Sequence, residues 1–325
     1  MKYKQLGRTG VQVSQLCFGT MSFGGDADAG ESGRMFAACL DAGINFFDCA
    51  NVYSDGAAET ILGKLIKGSR DELVITSKCF GAMGGDINAR GASRRNILQS
   101  VEASLKRLCT DRLDVLFMHH WDATVPLEET LRALEQLVAD GKVLYLGASN
   151  YAAWQIARGL GISEKHGWPR FDVLQPMYSL VKRQAEVEIF PLAMAEELGV
   201  ISYSAVAAGL LSGKYGKGRR PDVGRVVSND KYATRYSEAW FVDTAEAFTS
   251  LADELGVHPV SLAVAWAGAH PAVTSPIFGA RTVEQLQPSL ASVEVEMTPE
   301  LHARIAALSR TPPPATDRLE EQVGR

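Results

Sequence analysis

The sequence predicts an α/β fold: a (β/α)8 TIM barrel with an N-terminal β-hairpin and two extra helices, one domain over residues 1–325. Three observations carry this. Eight short apolar runs alternate with eight segments of helical periodicity. Glycine follows several of the helical segments. Polar residues gather where the apolar runs end, and a barrel enzyme keeps its chemistry at that face.

The elements follow in order. Residues 1–12 read as a hairpin turning between Gly7 and Gly10, placed to plug the bottom of the barrel. Strands are predicted over 13–19, 45–50, 73–78, 113–119, 143–149, 173–178, 200–206 and 274–279. Each is a short apolar run, as a parallel strand buried on both faces requires. Helices are predicted over 31–42, 57–67, 94–108, 127–140, 152–166, 186–198, 260–270 and 283–293. In the third, Ile97, Val101, Leu105 and Leu108 make one stripe and Ser93 is placed to cap the start. Gly43, Gly141 and Gly199 stand where helices give way to strands, because glycine accepts the left-handed turn that closes a helix. Strict alternation implies right-handed crossovers and a parallel sheet. An open doubly wound sheet is disfavoured, since no GxGxxG follows the first strand. The extra helices are predicted at 238–255 and 299–308, and the polar tail 312–325 need not be ordered. The longest loops, 80–92 and 207–237, both follow strands.

Composition narrows the function. Hydrophobic residues make up 46% and charged residues 22%, with a net charge of −5, so the chain is globular and is not a nucleic-acid binder. The basic run 214–220 is short and reads as a solvated loop. No stretch is long enough to span a bilayer, and the first ten residues hold no apolar signal core. Five cysteines without a CxxC pair suit reduced thiols in the cytoplasm. Cys49 and Cys79 should point into the layer between barrel and helices. Of the six histidines only His119 and His120 end a strand, so a metal-dependent hydrolase barrel is disfavoured and no metal site is expected.

The strand ends hold the chemistry. The second strand ends FFDCANVYSDGAAE, with Asp48 at its tip and Tyr53 in the next loop. The third ends ITSK at Lys78, and the fourth ends FMHHWD at His119. A buried Asp or Lys is expensive unless paired, and adjacent strands let these two pair. Taken singly, each residue fits a rim salt bridge; together they converge on one mouth. Farther on, Gly279, Ala280 and Arg281 stand at a helix N-terminus, a natural phosphate site, with Gln285 one turn later.

These segments resemble the aldo-keto reductase family. D-x-x-x-x-Y, a lysine closing the third strand and H-x-W-D closing the fourth match its tetrad. FGTM (Phe18 to Met21), GKVLYLGASN, LQPMYSL, YSAVAAGLLSGKY and GARTVEQL follow in the family's order across nearly the whole chain. The resemblance implies reduction of a small-molecule aldehyde or ketone with NADPH, NADH being the less expected cofactor. Carbonyl reduction needs a hydride, which the nicotinamide supplies, and a proton. By resemblance Tyr53 is the general acid, with Lys78 expected to lower its pKa, Asp48 to hold Lys78, and His119 to orient the carbonyl. The H-x-W-D spacing selects His119 over His120.

The cofactor residues implied are Gly19, Thr20, Met21, Asp48, Ser149, Asn150, Gln175, Tyr203, Ser204, Ala205, Val206, Gly209, Leu211, Gly213, Lys214, Gly279, Arg281, Gln285 and Ser289. Ser149, Asn150 and Gln175 would meet the carboxamide, and Tyr178 would stack on the nicotinamide ring. Backbone N–H groups near Gly209, Leu211 and Gly213 would follow the pyrophosphate. Ser289 stands where the family often has Asn, and Ala205 where it often has Pro. Phe23, Tyr53, His119 and Trp121 are the candidate substrate residues, with Tyr232 and Tyr236 further aromatic candidates at the mouth. Some barrels of this family are cofactor-bound potassium-channel β subunits. The early barrel hairpin, without a long preceding appendage, and the intact tetrad favour an enzyme.

Overall fold

The computed structural model describes residues 1–322; of the tail expected to lack order, 323–325 lie outside the described residues, and Leu319–Gln322 form a 3-10 turn. Strands β1 (Tyr3–Gln5) and β2 (Gln12–Ser14) form the antiparallel hairpin. Gly7 turns it at φ +54°, and a Cβ there would meet the Gly199 nitrogen at 2.4 Å, so both conformation and space demand glycine.

Eight parallel strands follow: β3 (Cys17–Gly19), β4 (Phe46–Asp48), β5 (Val74–Cys79), β6 (Leu113–Met118), β7 (Val143–Ser149), β8 (Phe171–Gln175), β9 (Gly199–Val200) and β10 (Ile277–Phe278). Their order is β10-β3-β4-β5-β6-β7-β8-β9. The ends meet through backbone hydrogen bonds. The Ile277 N–H donates to the Ser202 carbonyl at 2.7 Å, and the Thr274 N–H to Val200 at 2.9 Å. The fold is the (β/α)8 barrel that the alternation predicts.

Period-two alternation sorts each strand between two cores. Cys17, Phe46, Val74, Val115, Phe117, Val173 and Ile201 fill the barrel, and Leu6 and Val13 of the hairpin pack against them. The hairpin thereby closes the bottom. Phe117 takes so much of this space that a Cβ on Gly147 of the neighbouring strand would fall 2.3 Å from its ring. The alternate residues, including Phe47, Cys49, Ile75, Cys79 and Met118, face the helices, as expected for the two cysteines. Burial pushes both thiols up to about 12, which makes them poor nucleophiles.

The outer helices are α1 (Ala29–Asp41), α2 (Ala57–Leu65), α3 (Arg94–Leu108), α4 (Leu127–Ala139), α5 (Ala153–His166), α6 (Ile189–Ala195), α7 (Arg225–Ser228), α8 (Asp230–Arg235), α9 (Trp240–Leu255), α10 (Pro259–Ala269), α11 (Val283–Leu290) and α12 (Pro299–Ala306). Ser93 caps α3 through the Asn96 N–H. Four departures from the sequence reading have local causes. The run 13–19 is two pieces, because the chain bends after Ser14, whose N–H donates to the Asn45 side chain at 2.7 Å. The strand expected over 173–178 is β8, ending one residue before Pro176, which has no N–H for the ladder. The helix expected over 186–198 shrinks to α6, with Pro191 in its first turn. The loop 207–237 contains α7 and α8, too short for a periodic signal.

Candidate active site

The mouth at the strands' C-terminal ends is built from inward-facing residues. On β4, Phe46 faces the barrel and so does Asp48; on β5, Val74, Thr76 and Lys78 follow the same rule. Lys78 and Asp48 are fully buried and paired, Nζ to Oδ2 2.6 Å. The Lys78 ammonium also donates to the Cys49 carbonyl at 2.7 Å and reaches the Tyr53 hydroxyl at 3.2 Å. Asp48 Oδ1 accepts from Thr76 Oγ1 at 2.7 Å and from Gln175 Nε2 at 2.9 Å. Two donors thus hold the carboxylate while its second oxygen faces the lysine. Tyr53 opens a 3-10 turn in which Ser54 and Asp55 take left-handed φ of 49° and 51°. Strain of this kind collects where a side chain must be aimed.

His119 stands edge-on to Tyr53, ring centroids 6.2 Å apart, and stacks on His120 at 5.0 Å. Its backbone is pinned by its N–H to Cys79 and by Asn150 Nδ2 donating to its carbonyl at 2.9 Å. The four tetrad candidates are therefore together in one mouth.

Electrostatics corrects one expectation. Burial pushes the Tyr53 hydroxyl up to about 12; the Lys78 charge works the other way but does not prevail. Burial also opposes the Lys78 charge, yet Asp48 and then Tyr53 outweigh it and hold the ammonium above its ordinary range. Burial, with help from Lys78 and then His120 and Lys231, pulls His119 down to about 2. Its ring is neutral at physiological pH.

Around the tetrad, Ser149 and Gln175 pair in register at the ends of β7 and β8. Ser149 Oγ donates to the Gln175 carbonyl at 3.0 Å, and the Tyr203 hydroxyl to Asn150 Oδ1 at 2.7 Å. Thr20 bonds the Asp48 carbonyl through both its N–H and its hydroxyl; Gly19 precedes it, buried, and Met21 follows, exposed. Along the next loop Ser204, Ala207 and Gly209 take left-handed φ of 68°, 51° and 97°. The N–H groups of Gly209 and Leu211 both donate to the Val206 carbonyl, so these two expected phosphate donors already have an acceptor. Lys214 is exposed, and Ala205 is buried. At the far end Arg281 pairs with Asp26, Gln285 Oε1 accepts the Arg281 N–H, and Ser289 is buried.

Three aromatic expectations change. Phe23 does not line the mouth; it is fully buried in the layer outside the barrel, against Phe18. Tyr178 cannot stack on a ligand there, since it is buried on Trp266 with its hydroxyl on Glu186. Tyr236 is buried too, while Tyr232 is half-exposed. Trp121 stays half-exposed, edge-on to Tyr151 and Trp154.

Sequence reasoning missed Thr76, although its place two residues before Lys78 puts it on the same strand face. It missed buried Glu59, which joins Ser77 to Arg107 behind the site. It also missed Asn51, buried beside the tetrad with its amide nitrogen and oxygen both unpartnered. Among the described residues no group of three His, Cys, Asp or Glu side chains is arranged to hold a metal, and no helix is long and apolar enough to cross a membrane.

Comparison with known proteins agrees with this geometry. Residues 15–310 match the family model described as "Aldo/keto reductase family". The chain is 38% identical to the Bacillus subtilis (strain 168) protein named Uncharacterized oxidoreductase YrpG, over 93% of this chain and 94% of that one. It is 36% identical to a Probable voltage-gated potassium channel subunit beta of Oryza sativa subsp. japonica, over 98% and 99%. It is 32% identical to the Versiconal hemiacetal acetate reductase of Aspergillus parasiticus, over 92% and 94%. With a family model matching over nearly its whole length, the chain belongs to the aldo/keto reductase family.

Proposed function

We propose that this protein reduces small aldehydes or ketones to alcohols with NADPH, and that Tyr53 gives the proton. The observation that carries the reading is the contact of the Lys78 ammonium with the Tyr53 hydroxyl at 3.2 Å, backed by Asp48 at 2.6 Å.

The donor set at the mouth fits a nicotinamide. Ser149, Asn150 and Gln175 offer hydroxyl and amide groups for a carboxamide, and Tyr203 is the aromatic ring bonded into that cluster. When bound there, the cofactor supplies the hydride. Tyr53 keeps its proton through neutral pH, as an ordinary phenol does, and burial raises its pKa further. An alkoxide is a far stronger base than a phenolate, so a carbonyl oxygen receiving a hydride can still take that proton. Lys78 then stabilises the phenolate left behind. Neutral His119 offers a ring N–H to the same oxygen and orients it. Trp121 offers an apolar wall to the rest of the substrate. Arg281, Gln285 and Lys214 serve the phosphates, with Arg281 the partner of a 2′-phosphate. The same reading puts the protein in the cytoplasm, where its five free thiols stay reduced.

A screen of aldehydes, ketones and sugars with NADPH and NADH tests this. Turnover that disappears in Tyr53→Phe supports the reading. A second reading, a cofactor-bound channel β subunit, draws on the relative of that name. Tight NADPH binding without turnover on any carbonyl would favour it.

A further inference from the structure

Arg281, just before α11, already has a carboxylate partner within the chain. Its Nε lies 3.0 Å from Asp26 Oδ2, the two side chains being 33% and 48% exposed. Asp26 is held there by a tight loop. The N–H groups of Gly25 and Ala27 both donate to the Ser22 carbonyl, and the Gly24 N–H to Ala27. Phe23 and Ala27 are buried at the loop's base. Ser22 Oγ donates to the Ala280 carbonyl at 2.6 Å, one residue from Arg281. Loop and arginine are thus tied together apart from the ion pair, so pairing orders little that is not already ordered. A second carboxylate shares this corner: Glu31 Oε1 accepts the Val283 N–H, the first of α11, at 2.7 Å.

At the adenosine ribose NADPH differs from NADH by one phosphate. We propose that Asp26 is a specificity-determining residue that narrows the preference for NADPH over NADH; this rests on the cofactor reading above. A 2′-phosphate must take the guanidinium from Asp26 and then sit beside a carboxylate. A 2′-hydroxyl can donate to that carboxylate, as ribose hydroxyls do to acidic residues in other dinucleotide sites. The same side chain therefore opposes one cofactor and accepts the other. Removing its charge frees Arg281 for the phosphate.

Fluorescence titration of NADPH and NADH into the full chain tests this, with wild type, Asp26→Asn, Asp26→Ser, Arg281→Ala and the Asp26→Asn/Arg281→Ala double variant at fixed salt. Both Asp26 variants should bind NADPH about three- to tenfold tighter, the scale of losing a part-exposed ion pair and one like charge, and NADH no tighter than wild type. Most of that gain should vanish in the Arg281→Ala background. If both cofactors bind but both Asp26 variants keep the wild-type ratio, Asp26 does not set specificity and the cofactor reading stands. If wild type binds neither cofactor, the cofactor reading itself falls.

Discussion

Lys78 and Asp48 form a fully buried ion pair across adjacent strands, Nζ to Oδ2 2.6 Å, and the tyrosine that the lysine touches is the only other side chain its ammonium bonds among the described residues. The pair is structural, and on the proposed mechanism it is chemical as well. Removing one partner strands a charge in the barrel, at a cost of about 3–5 kcal/mol. Lys78→Met should therefore lose stability on that scale as well as turnover. Asp48→Asn/Lys78→Met should recover much of the stability and none of the activity. Chemical denaturation of the three proteins decides it: a double variant no more stable than Lys78→Met alone would mean that the stranded carboxylate is not the cause.

Tyr53→Phe should lose nearly all reduction and keep its affinity for NADPH. On the proposed mechanism the phenol's proton is needed in the transition state and not for binding. The ring also stays, so the packing edge-on to His119 is kept. Single-turnover reduction together with a cofactor titration separates the two effects. Turnover within a few fold of wild type would remove Tyr53 as the acid.

His119 should make the protein acid-sensitive. Its folded pKa of about 2 lies below the ordinary value near 6.5. As pH falls through 6.5 the unfolded chain takes a proton that the folded chain refuses. Stability is therefore full above that value and falls below it, by up to about 1.4 kcal/mol per pH unit for this one group. Burial also pulls down His270 and His302, which add to the slope in any variant that keeps them. The comparison with His119→Asn isolates one group: denaturation at pH 7, 6 and 5 should show a shallower loss in the variant. Parallel losses would mean that His119 titrates while folded. The same neutrality predicts no inflection in kcat/KM near pH 6.5 from this residue.

The strand–helix rhythm and the meeting of Asp48, Tyr53, Lys78 and His119 at one mouth were legible because both are periodic or ordered signals. β7 and α3 match their expected bounds. Alternation alone placed Cys49 and Cys79 on the outer face. What was not legible depends on partners distant in sequence. Nothing in LQPMYSL says that Tyr178 meets Trp266, 88 residues on by number, and not a ligand. The direction of the Tyr53 shift needed the balance of burial against the Lys78 charge, and a sequence shows only the charge. Short helices such as α7 and α8 carry too few turns to make a stripe.

Arg281→Ala should weaken NADPH more than NADH. Charge-assisted hydrogen bonds to a phosphate contribute about 1.5–3 kcal/mol. The arginine must first give up Asp26, an exposed pair worth up to about 1 kcal/mol. The difference leaves about 0.5–3 kcal/mol, or roughly two- to a hundredfold in affinity, and its middle is the expected loss of NADPH over NADH. Some preference should survive the substitution, since the start of α11 and Gln285 remain. Salt acts on the same term: the cofactor with the extra charge should lose affinity more steeply between low and physiological ionic strength, and Arg281→Ala should flatten that difference. Titrating both cofactors into both proteins at two salt concentrations reads all of this at once. Equal losses for NADPH and NADH would show that Arg281 supports the loop through Asp26 and does not read the 2′-phosphate.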